Sequence, residues 1–580
     1  MHDSLDDSYA RYFGPKKDIF GWVHVPKGAR RDVGVLLVGA FGYETLCTYR
    51  AFRELALSLA QAGFVTLRLD PHGTGQSGGA DEDADRVPSW LASIDAGFEA
   101  LLEQPGVERL AVVGVRLGAT LAAKAASRRS DVVSAALLAP FPSGRAYVRE
   151  LKALSMMATP MGEAVPSASG DLEAAGFVLT EETQAALGDI DLFKLEARPA
   201  EHVLVLQRDD APLDARWQGK LEATGARVEV GALKGYVDFM RDSHFSTAPK
   251  EAFAKVEALM SSQAKPSAGT GLSFKDASAT LDGAGYRETR MVFGKESPLV
   301  GILCSPTSTL RRRITPIFLN TGANPMMGSN RMAVTYARAL AQSGFSSLRF
   351  DLKGLGDSPS HDGKGPRLYS KDACVDVVAA MDALEERGHR RFALVGLCSG
   401  AYLAFHTALL DARVAGLALL NAQRFTWTEG DSLEVAMRKS FKSTRFYTDQ
   451  ILNPEVWKRL AKGEVNVVGI ARTLGERVLR GARTRLTELP ARVLGASYDT
   501  NEVVQGFAKL ASRGAHSLLT YSAMDGGLDE LDAQLGHGMR KLHKHPSVRL
   551  EILEGADHTL TAAWARARYL ELLRTHLEAL

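Results

Sequence analysis

Residues 391–402 read RFALVGLCSGAY. The apolar residues 392–395 are typical of a buried strand, and the apolar residues from 401 onward are typical of a helix. Between them, glycines stand two positions before and two positions after Cys398. Because glycine has no side chain, these positions permit a strained turn on which the central side chain projects beyond the sheet. The stretch predicts a strand, a sharp turn that presents Cys398, and a helix. The alternative interpretation is a tight turn with a buried thiol.

Composition restricts the classes of protein to which the chain can belong. Its 580 residues are too many for one hydrophobic core. A formal net charge of +2 gives no argument for nucleic acid as a partner. The N-terminal residues lack the apolar core of a secretory signal, and no apolar run of about 18 residues predicts a membrane span.

The cysteines bear on redox compartment and metal binding. They are widely spaced, unlike a disulfide framework or a zinc site, and they stand at Cys47, Cys304, Cys374 and Cys398. We therefore expect a reducing compartment, the cytoplasm, and neither a metal nor a cofactor.

The chain repeats itself at a nearly constant spacing. Three pairs of similar segments are LAQAGF at 59–64 with LAQSGF at 340–345, LRLD at 67–70 with LRFD at 348–351, and VGVRLG at 113–118 with VGLCSG at 395–400. Repetition of this kind indicates two copies of one domain. We predict domains at 1–260 and 272–580, joined by the small and polar residues 261–271, which have the composition of a flexible linker.

Apolar runs and helical patterns alternate along both halves. The strands predicted in the first half are 19–25, 33–38, 65–69, 110–113 and 203–206, with helices at 49–62 and 90–103. The strands predicted in the second half are 286–293, 299–304, 316–319, 347–350, 392–395, 414–420, 517–522 and 548–553, with a final helix at 562–580. Such alternation predicts α/β domains built on parallel sheets.

In the first half, arginine occupies the position that Cys398 holds in the second. A guanidinium is always protonated and cannot attack a carbonyl carbon, so Arg116 predicts an inactive domain. Asp210 and His244 are candidates for the remnants of an active site. Arg116 either binds a carboxylate or phosphate ligand in that old site or pairs with Asp209 or Asp210 and holds the fold.

The second half offers an acid and a histidine at the ends of later strands. Asp525 lies in the loop after strand 517–522, and His558 follows strand 548–553. The chain order of nucleophile, acid and histidine is that of a serine-hydrolase-type triad on a parallel sheet. Asp529 and Asp557 are the rival acids.

Backbone N–H groups near Cys398 are candidate donors to an oxyanion. One donor is expected from Gly322 or Ala323, which follow strand 316–319, and the other from Ser399, the residue after Cys398. Ser399 itself is a poor nucleophile candidate because its own flanking positions are not glycines.

Each half carries an insertion where enzymes of this kind place a lid. The insertion of the second half covers about 421–490, and that of the first half covers 141–199. Basic residues at 438–445 and 477–485 indicate either an electropositive entrance for an anionic acyl donor, such as carrier phosphopantetheine or an acidic glycan, or solvated faces of lid helices.

Both halves resemble the α/β-hydrolase superfamily, in its serine aminopeptidase-like branch. The segments at 328–331, 348–358 and 396–398 look like the first of two hydrolases associated with bacterial exosortase and exopolysaccharide systems, and 114–122 is similar to the second. The resemblance implies two tandem α/β-hydrolase domains, each a mostly parallel sheet flanked by helices with a helical lid insertion, in a bacterial cytoplasmic protein. Cys398 departs from the serine of the superfamily, which puts peptidase activity in doubt. Cysteine at this position also occurs in dienelactone hydrolases and polyester synthases.

Together these patterns predict a cysteine-dependent acyl hydrolase or acyltransferase. Cys398 is the expected nucleophile, His558 the base and Asp525 the residue that orients it. The expected partner is a small-molecule or carrier-bound acyl substrate, while the oligomeric state stays open. The competing hypothesis is a non-catalytic binding or scaffold protein, in which Cys398 is as inert as Arg116.

Overall fold

A computed structural model describes residues 8–158, 170–273, 277–294, 297–360, 368–427, 501–542 and 545–580. The chain divides into two compact units, and neither is continuous in sequence. The first unit contains 1–310, 323–344 and 349–366, and the second contains 311–322, 345–348 and 367–580. The domain limits at 260 and 272 stay a prediction.

The described residues form strands and helices in alternation. The strands are β1 Ser8–Phe13, β2 Ile19–His24, β3 Arg30–Arg31, β4 Val33–Val38, β5 Thr66–Asp70, β6 Arg109–Val115, β7 Val132–Leu138, β8 Leu172–Ala174, β9 Phe177–Leu179, β10 His202–Arg208, β11 Arg227–Leu233, β12 Pro266–Ser267, β13 Thr280–Gly283, β14 Tyr286–Phe293, β15 Leu299–Pro306, β16 Ile314–Phe318, β17 Ser347–Phe350, β18 Arg391–Leu397, β19 Val414–Leu420, β20 His516–Ser522 and β21 Val548–Leu553. The helices are α1 Tyr43–Gln61, α2 Arg86–Leu102, α3 Leu117–Ala126, α4 Gly144–Ala158, α5 Glu181–Gly188, α6 Arg216–Glu222, α7 Tyr236–Phe239, α8 Lys250–Gln263, α9 Met332–Gln342, α10 Cys374–Glu385, α11 Ser399–Leu410, α12 Glu502–Ser512, α13 Gly527–Leu535 and α14 Ala563–Glu578.

An eight-stranded sheet organises the first unit, in the order β1-β2-β5-β4-β6-β7-β10-β11. The pairs β1–β2 and β2–β5 are antiparallel and the remaining pairs are parallel. The central strands are apolar on both faces because helices cover both faces of a parallel sheet. β4 and β7 are accordingly buried at every position.

Parallel strands also form the framework of the second unit. β16 pairs with β18, β18 with β19, β19 with β20 and β20 with β21, all in parallel register. The carboxyl ends of parallel strands lie at one edge of a sheet, where loops supply functional groups. The residues after β18, β20 and β21 are those on which the triad prediction depends.

The internal repeat has a matching geometry after β5 and after β17. Ser77 Oγ donates to Asp70 O at 2.5 Å, and Ser358 Oγ donates to Asp351 O at 2.6 Å. A Cβ atom added to either of the glycines that follow, Gly75 or Gly356, would lie about 2 Å from a carboxylate oxygen of the same aspartate. Only glycine fits at that distance, so the two loops repeat in three dimensions as they do in sequence.

Most predicted elements agree with the structure. Strands 33–38, 286–293, 347–350, 414–420 and 548–553 have the predicted limits, and others differ by a few residues. β1 was not predicted, and α1 begins at Tyr43 rather than at 49. Within the predicted linker, Pro266 and Ser267 form a short antiparallel ladder with β3.

The insertion of the first half contains α4, the hairpin β8–β9 and α5. Most of the insertion predicted at 421–490, with its basic residues, lies outside the described residues. Among the helices described, none has the length and apolar character needed to cross a bilayer. The predicted fold class, two tandem α/β domains on mostly parallel sheets, is confirmed.

Candidate active site

β18 runs directly into the turn that carries Cys398. Cys398 has φ 57° and ψ −112° and precedes the first turn of α11. A Cβ atom on Gly396 would lie 2.2 Å from the backbone of Gly400, and one on Gly400 would lie 2.8 Å from the carbonyl oxygen of Asn320. The two flanking glycines are therefore required by close packing of backbone, and they leave Cys398 at the tip of the turn.

His558 and Asp525 meet at the ends of neighbouring strands. Asp525 follows β20, His558 follows β21, and their Oδ2 and Nδ1 atoms are 2.6 Å apart. Asp525 is 2% exposed, and its other carboxylate oxygen accepts the N–H of Gly527 at 2.7 Å. The carboxylate is thus fixed from both sides and holds the imidazole ring in one orientation.

The surroundings of His558 favour its protonated form. Burial lowers the pKa of the imidazole, but the charge of Cys398 and hydrogen bonds to Asp525 and Cys398 outweigh it and raise the pKa to about 10. The three side chains named as a triad are therefore electrostatically coupled.

The rival acids are placed differently. Asp557 uses its carboxylate to accept the N–H of Thr561 at 2.6 Å, which closes its own loop. Asp529 lies in α13. Of the three candidates, Asp525 is the one whose carboxylate is hydrogen-bonded to His558.

The predicted oxyanion donors on the loop after β16 are engaged by side chains. The N–H of Gly322 donates to Ser399 Oγ at 2.8 Å. The N–H of Ala323 donates to His244 Nδ1 at 2.9 Å. Ser399 is the first residue of α11, where backbone N–H groups have no acceptor within the helix. The helix start therefore offers a donor, while the loop donors already have acceptors.

Three residues of the second unit were not predicted. Gln423 Nε2 donates to Asp525 Oδ1 at 2.5 Å, and Asn421 Nδ2 donates to the carbonyl oxygen of His558 at 2.8 Å. Tyr369 Oη lies 3.4 Å from Cys398 Sγ. A signal existed for Asn421 and Gln423, since both directly follow the apolar strand β19. Tyr369 does not follow a strand, so its position in the sequence gave no reason to predict it as a site residue.

The first elbow has the same backbone and a different environment. Arg116 has φ 55° and ψ −123° and is 2% exposed. Its Nε atom donates to Glu44 Oε1 at 2.8 Å, and it also bonds Glu150. The guanidinium lies over the ring of Phe141, 4.2 Å from the centroid. The carboxylates that pair with Arg116 therefore come from α1 and α4. The predicted partners, Asp209 and Asp210, were wrong.

Asp210 and His244, the other candidates for the first site, form hydrogen bonds with residues other than Arg116. Asp210 forms two hydrogen bonds of 2.9 Å with Arg208, and this contact lowers the pKa of its carboxyl. Asp209 accepts the N–H of Gly235, and His244 accepts that of Ala323. Asp210 and His244 therefore have separate partners, and neither is hydrogen-bonded to Arg116.

A cavity of 290 Å³ lies in the first unit, beside the acids that hold Arg116. Glu44 and Glu150 line one part of it, and its apolar wall includes Trp90, Tyr147 and Phe177. Its size is at the lower limit of small-molecule sites.

The four cysteines differ in accessibility. Cys398 is partly exposed, and Cys47, Cys304 and Cys374 are buried. Burial raises the pKa of Cys47 and that of Cys304 to about 12. Within the described ranges, no cluster of histidine, cysteine and acidic side chains is arranged to hold a metal ion.

Two family models match the chain. The model described as serine aminopeptidase, S33, matches residues 46–189, and that described as the alpha/beta hydrolase fold matches residues 317–455. One match falls in each half, and each includes a glycine-flanked elbow. No curated protein matches the chain.

Solved structures that are similar to part of this chain include the following three. A dienelactone hydrolase from Anabaena variabilis is 13% identical, with a TM-score of 0.30, over 51% of this chain and 99% of its own. An esterase from Pyrococcus furiosus is 14% identical, with a TM-score of 0.32, over 51% of this chain and 90% of its own. A proline iminopeptidase-related protein from Thermus thermophilus is 17% identical, with a TM-score of 0.27, over 51% of this chain and 98% of its own.

Each of these three structures matches about half of the chain. The family models add hydrolase matches in both halves, and the two mostly parallel sheets agree with them. Each half of the chain therefore contains a segment that is similar to α/β-hydrolases, residues 46–189 in the first half and 317–455 in the second.

Proposed function

We propose that the chain is a cysteine-dependent acyl hydrolase or acyltransferase that acts on ester or thioester bonds through an acyl-enzyme at Cys398. The observation that supports it most is the hydrogen bond of 2.6 Å between Asp525 and His558, together with the coupling of His558 to Cys398. A structural thiol in a tight turn has no need of a buried carboxylate that orients a histidine towards it.

The proposed reaction has two steps. The Cys398 thiolate attacks the acyl carbonyl carbon, a carbon–sulfur bond forms, and the carbonyl electron pair moves to oxygen. When the tetrahedral intermediate collapses, the bond to the leaving group breaks and the His558 imidazolium supplies its proton. Water or an acceptor hydroxyl or thiol then attacks the acyl-enzyme, loses its proton to His558 and releases Cys398.

Asp525 acts through His558 in this proposal. Its carboxylate accepts the Nδ1–H, which leaves Nε2 for the sulfur and for the leaving group. Gln423 and Gly527 hold the carboxylate by hydrogen bonds to Oδ1. Cysteine in place of serine favours donors that are already activated, since a thiolate is a good nucleophile and also a good leaving group from a tetrahedral intermediate.

The first domain is proposed to be inactive in acyl transfer. Its elbow carries a guanidinium that Glu44 and Glu150 neutralise, so it has no nucleophile there. The neighbouring cavity favours a second candidate function, non-catalytic ligand binding by this domain. In that case a ligand would raise the melting temperature of Cys398→Ala as much as that of the wild-type chain.

The four free thiols support a reducing compartment, and we propose the cytoplasm.

The test is intact-mass analysis after incubation with p-nitrophenyl acetate, an acetyl thioester or iodoacetamide. The variants are Cys398→Ala and His558→Ala, with Cys374→Ala as the matched control for loss of a buried thiol. A single acetyl adduct that disappears in Cys398→Ala, slows strongly in His558→Ala and persists in Cys374→Ala is expected. An adduct that survives in Cys398→Ala, or no adduct on the wild-type chain, contradicts the proposal and favours the binding protein.

A further inference from the structure

Tyr369 contacts the candidate nucleophile although the triad has no role for it. Its hydroxyl oxygen lies 3.4 Å from Cys398 Sγ, within hydrogen-bond distance for sulfur, and the residue is 8% exposed. A phenol therefore lies beside the candidate nucleophile, and it is enclosed by protein.

The ring of Tyr369 is held from two sides. It stacks on Trp427 with centroids 4.8 Å apart and planes 13° from parallel, and it meets Tyr402 edge to face at 5.4 Å. Its backbone has φ 55°, a conformation that costs a non-glycine residue about 1–2 kcal/mol. Such strain persists where the surrounding packing enforces it.

Tyr369 remains a hydrogen-bond donor at neutral pH. Burial raises the pKa of its hydroxyl well above 10, and the nearby charge of Cys398 raises it further. A protonated phenol beside a sulfur donates its hydrogen bond to whichever neighbouring atom carries more negative charge.

The loop that was expected to supply an oxyanion donor has its N–H groups engaged. Gly322 donates to Ser399 Oγ, and that serine is 5% exposed. Ala323 donates to the ring of His244. An oxyanion at Cys398 would be stabilised by preorganised donors, and the start of α11 supplies the N–H of Ser399 as one of them.

We propose that Tyr369 supplies the second donor to the oxyanion formed at Cys398, in place of the backbone N–H expected from Gly322. This inference rests on the proposed acyl chemistry. Before substrate binds, the hydroxyl donates to the sulfur. During attack the negative charge moves from sulfur to an oxygen two bonds away, and the hydroxyl follows it without losing its proton. On collapse the charge leaves that oxygen and the hydroxyl returns to the sulfur.

The test compares two reactions of the same sulfur in the full-length chain. p-Nitrophenyl acetate acylates Cys398 through a tetrahedral oxyanion, whereas iodoacetamide alkylates it by direct displacement without one. Loss of one oxyanion donor typically lowers the rate about 10²–10³-fold. In Tyr369→Phe we therefore expect the ratio of the acylation rate to the alkylation rate to fall at least about tenfold. The fall in the ratio is smaller than the full effect of a lost donor, because loss of the hydrogen bond to the sulfur affects both rates.

Tyr402→Phe is the matched control, because it removes a hydroxyl from the adjoining ring, and its ratio is expected to equal that of the wild-type chain. Phenylalanine at position 369 retains the stacked ring, and continued alkylation shows that the site is still folded. A ratio unchanged in Tyr369→Phe, whether both rates fall together or neither does, overturns this inference alone. A wild-type chain that is alkylated but never acylated at Cys398 overturns the proposed function, and this inference with it.

Discussion

The two elbows of this chain have nearly the same backbone and opposite chemistry. Cys398 and Arg116 both occupy a left-handed conformation, at φ 57° and φ 55°, between glycines that closely packed backbone requires. Each non-glycine residue in such a conformation costs about 1–3 kcal/mol. The first domain retains that strain without a nucleophile, so the strained turn belongs to the fold and is not by itself a sign of catalysis.

What separates the elbows lies at the ends of later strands. In the second unit Asp525 is hydrogen-bonded to His558, and His558 is coupled to the sulfur. In the first unit Asp210 pairs with Arg208, and His244 accepts a backbone N–H. A catalytic site should therefore be recognised by hydrogen bonding among the elbow residue, the acid and the histidine, and not by the elbow alone.

Replacing the acid at each site gives the largest expected difference. Asp525→Asn should lower the rate of acyl-enzyme formation by about 10³–10⁴-fold, because an amide favours the wrong tautomer of His558. Asp210→Asn, the matching change in the first domain, should leave the rate unaltered. Stopped-flow release of p-nitrophenol measures both. Equal effects of the two changes would remove the distinction drawn between the domains.

Thiol reactivity should identify the second elbow without any substrate. Iodoacetamide at neutral pH is expected to modify Cys398 about 100-fold faster than Cys47 or Cys304, whose burial withholds both access and the thiolate form. Peptide mapping over time gives the separate rates, and unfolding in urea should make them similar. Cys47 reacting as fast as Cys398 in the folded chain would contradict a specially activated thiol.

Removing the arginine should affect stability and leave the chemistry intact. Arg116→Met removes the cation shared by Glu44 and Glu150 and leaves Glu150 with Arg208 as its remaining partner, so we expect a loss of about 2–3 kcal/mol of unfolding free energy. The carboxylates are 23% and 34% exposed, which makes the loss smaller than for fully buried pairs. Urea denaturation measures it, and acylation at Cys398 should continue in the native variant.

Glu44→Gln combined with Glu150→Gln in the Arg116→Met background should recover part of that stability, since no unpaired charge then remains. An Arg116→Met chain as stable as the wild type would show that the ion pairs contribute nothing. A chain that also lost acylation would show that the first domain supports the second site.

Much of the framework could be predicted because each signal is local. The glycines around Cys398 and Arg116 and the apolar strands before them are contiguous in sequence, and Asp525 and His558 directly follow strands. β1 escaped prediction because its six residues mix polar and apolar types and depend on pairing with β2.

The partners of the site residues could not be predicted in the same way. Glu44 and Glu150 reach Arg116 from two helices that lie far from it in sequence, and only packing brings their carboxylates together. Gly322 was assigned correctly to the loop after β16, but its N–H is taken by the hydroxyl of Ser399, a competition that sequence cannot show. Contacts between distant side chains depend on tertiary geometry and not on local pattern.

The two histidines should respond to pH in opposite directions, with the smallest expected effects. His558 has its pKa raised to about 10, so its protonation stabilises the fold fully below pH ~6.5 and this contribution is lost as the pH rises towards 10. Burial lowers the pKa of His244, so the fold prefers its neutral form and loses stability as the pH falls below ~6.5.

Melting temperatures of the wild-type chain, His558→Asn and His244→Asn across this range test the contrast. The deficit of His558→Asn in unfolding free energy should be larger at pH 6.5 than at pH 10. The stability of His244→Asn relative to that of the wild-type chain should rise as the solution is acidified. A deficit of His558→Asn that stays constant with pH would contradict the raised pKa of His558 in the folded chain, and the coupling of His558 to Cys398 would then have no effect on the resting site.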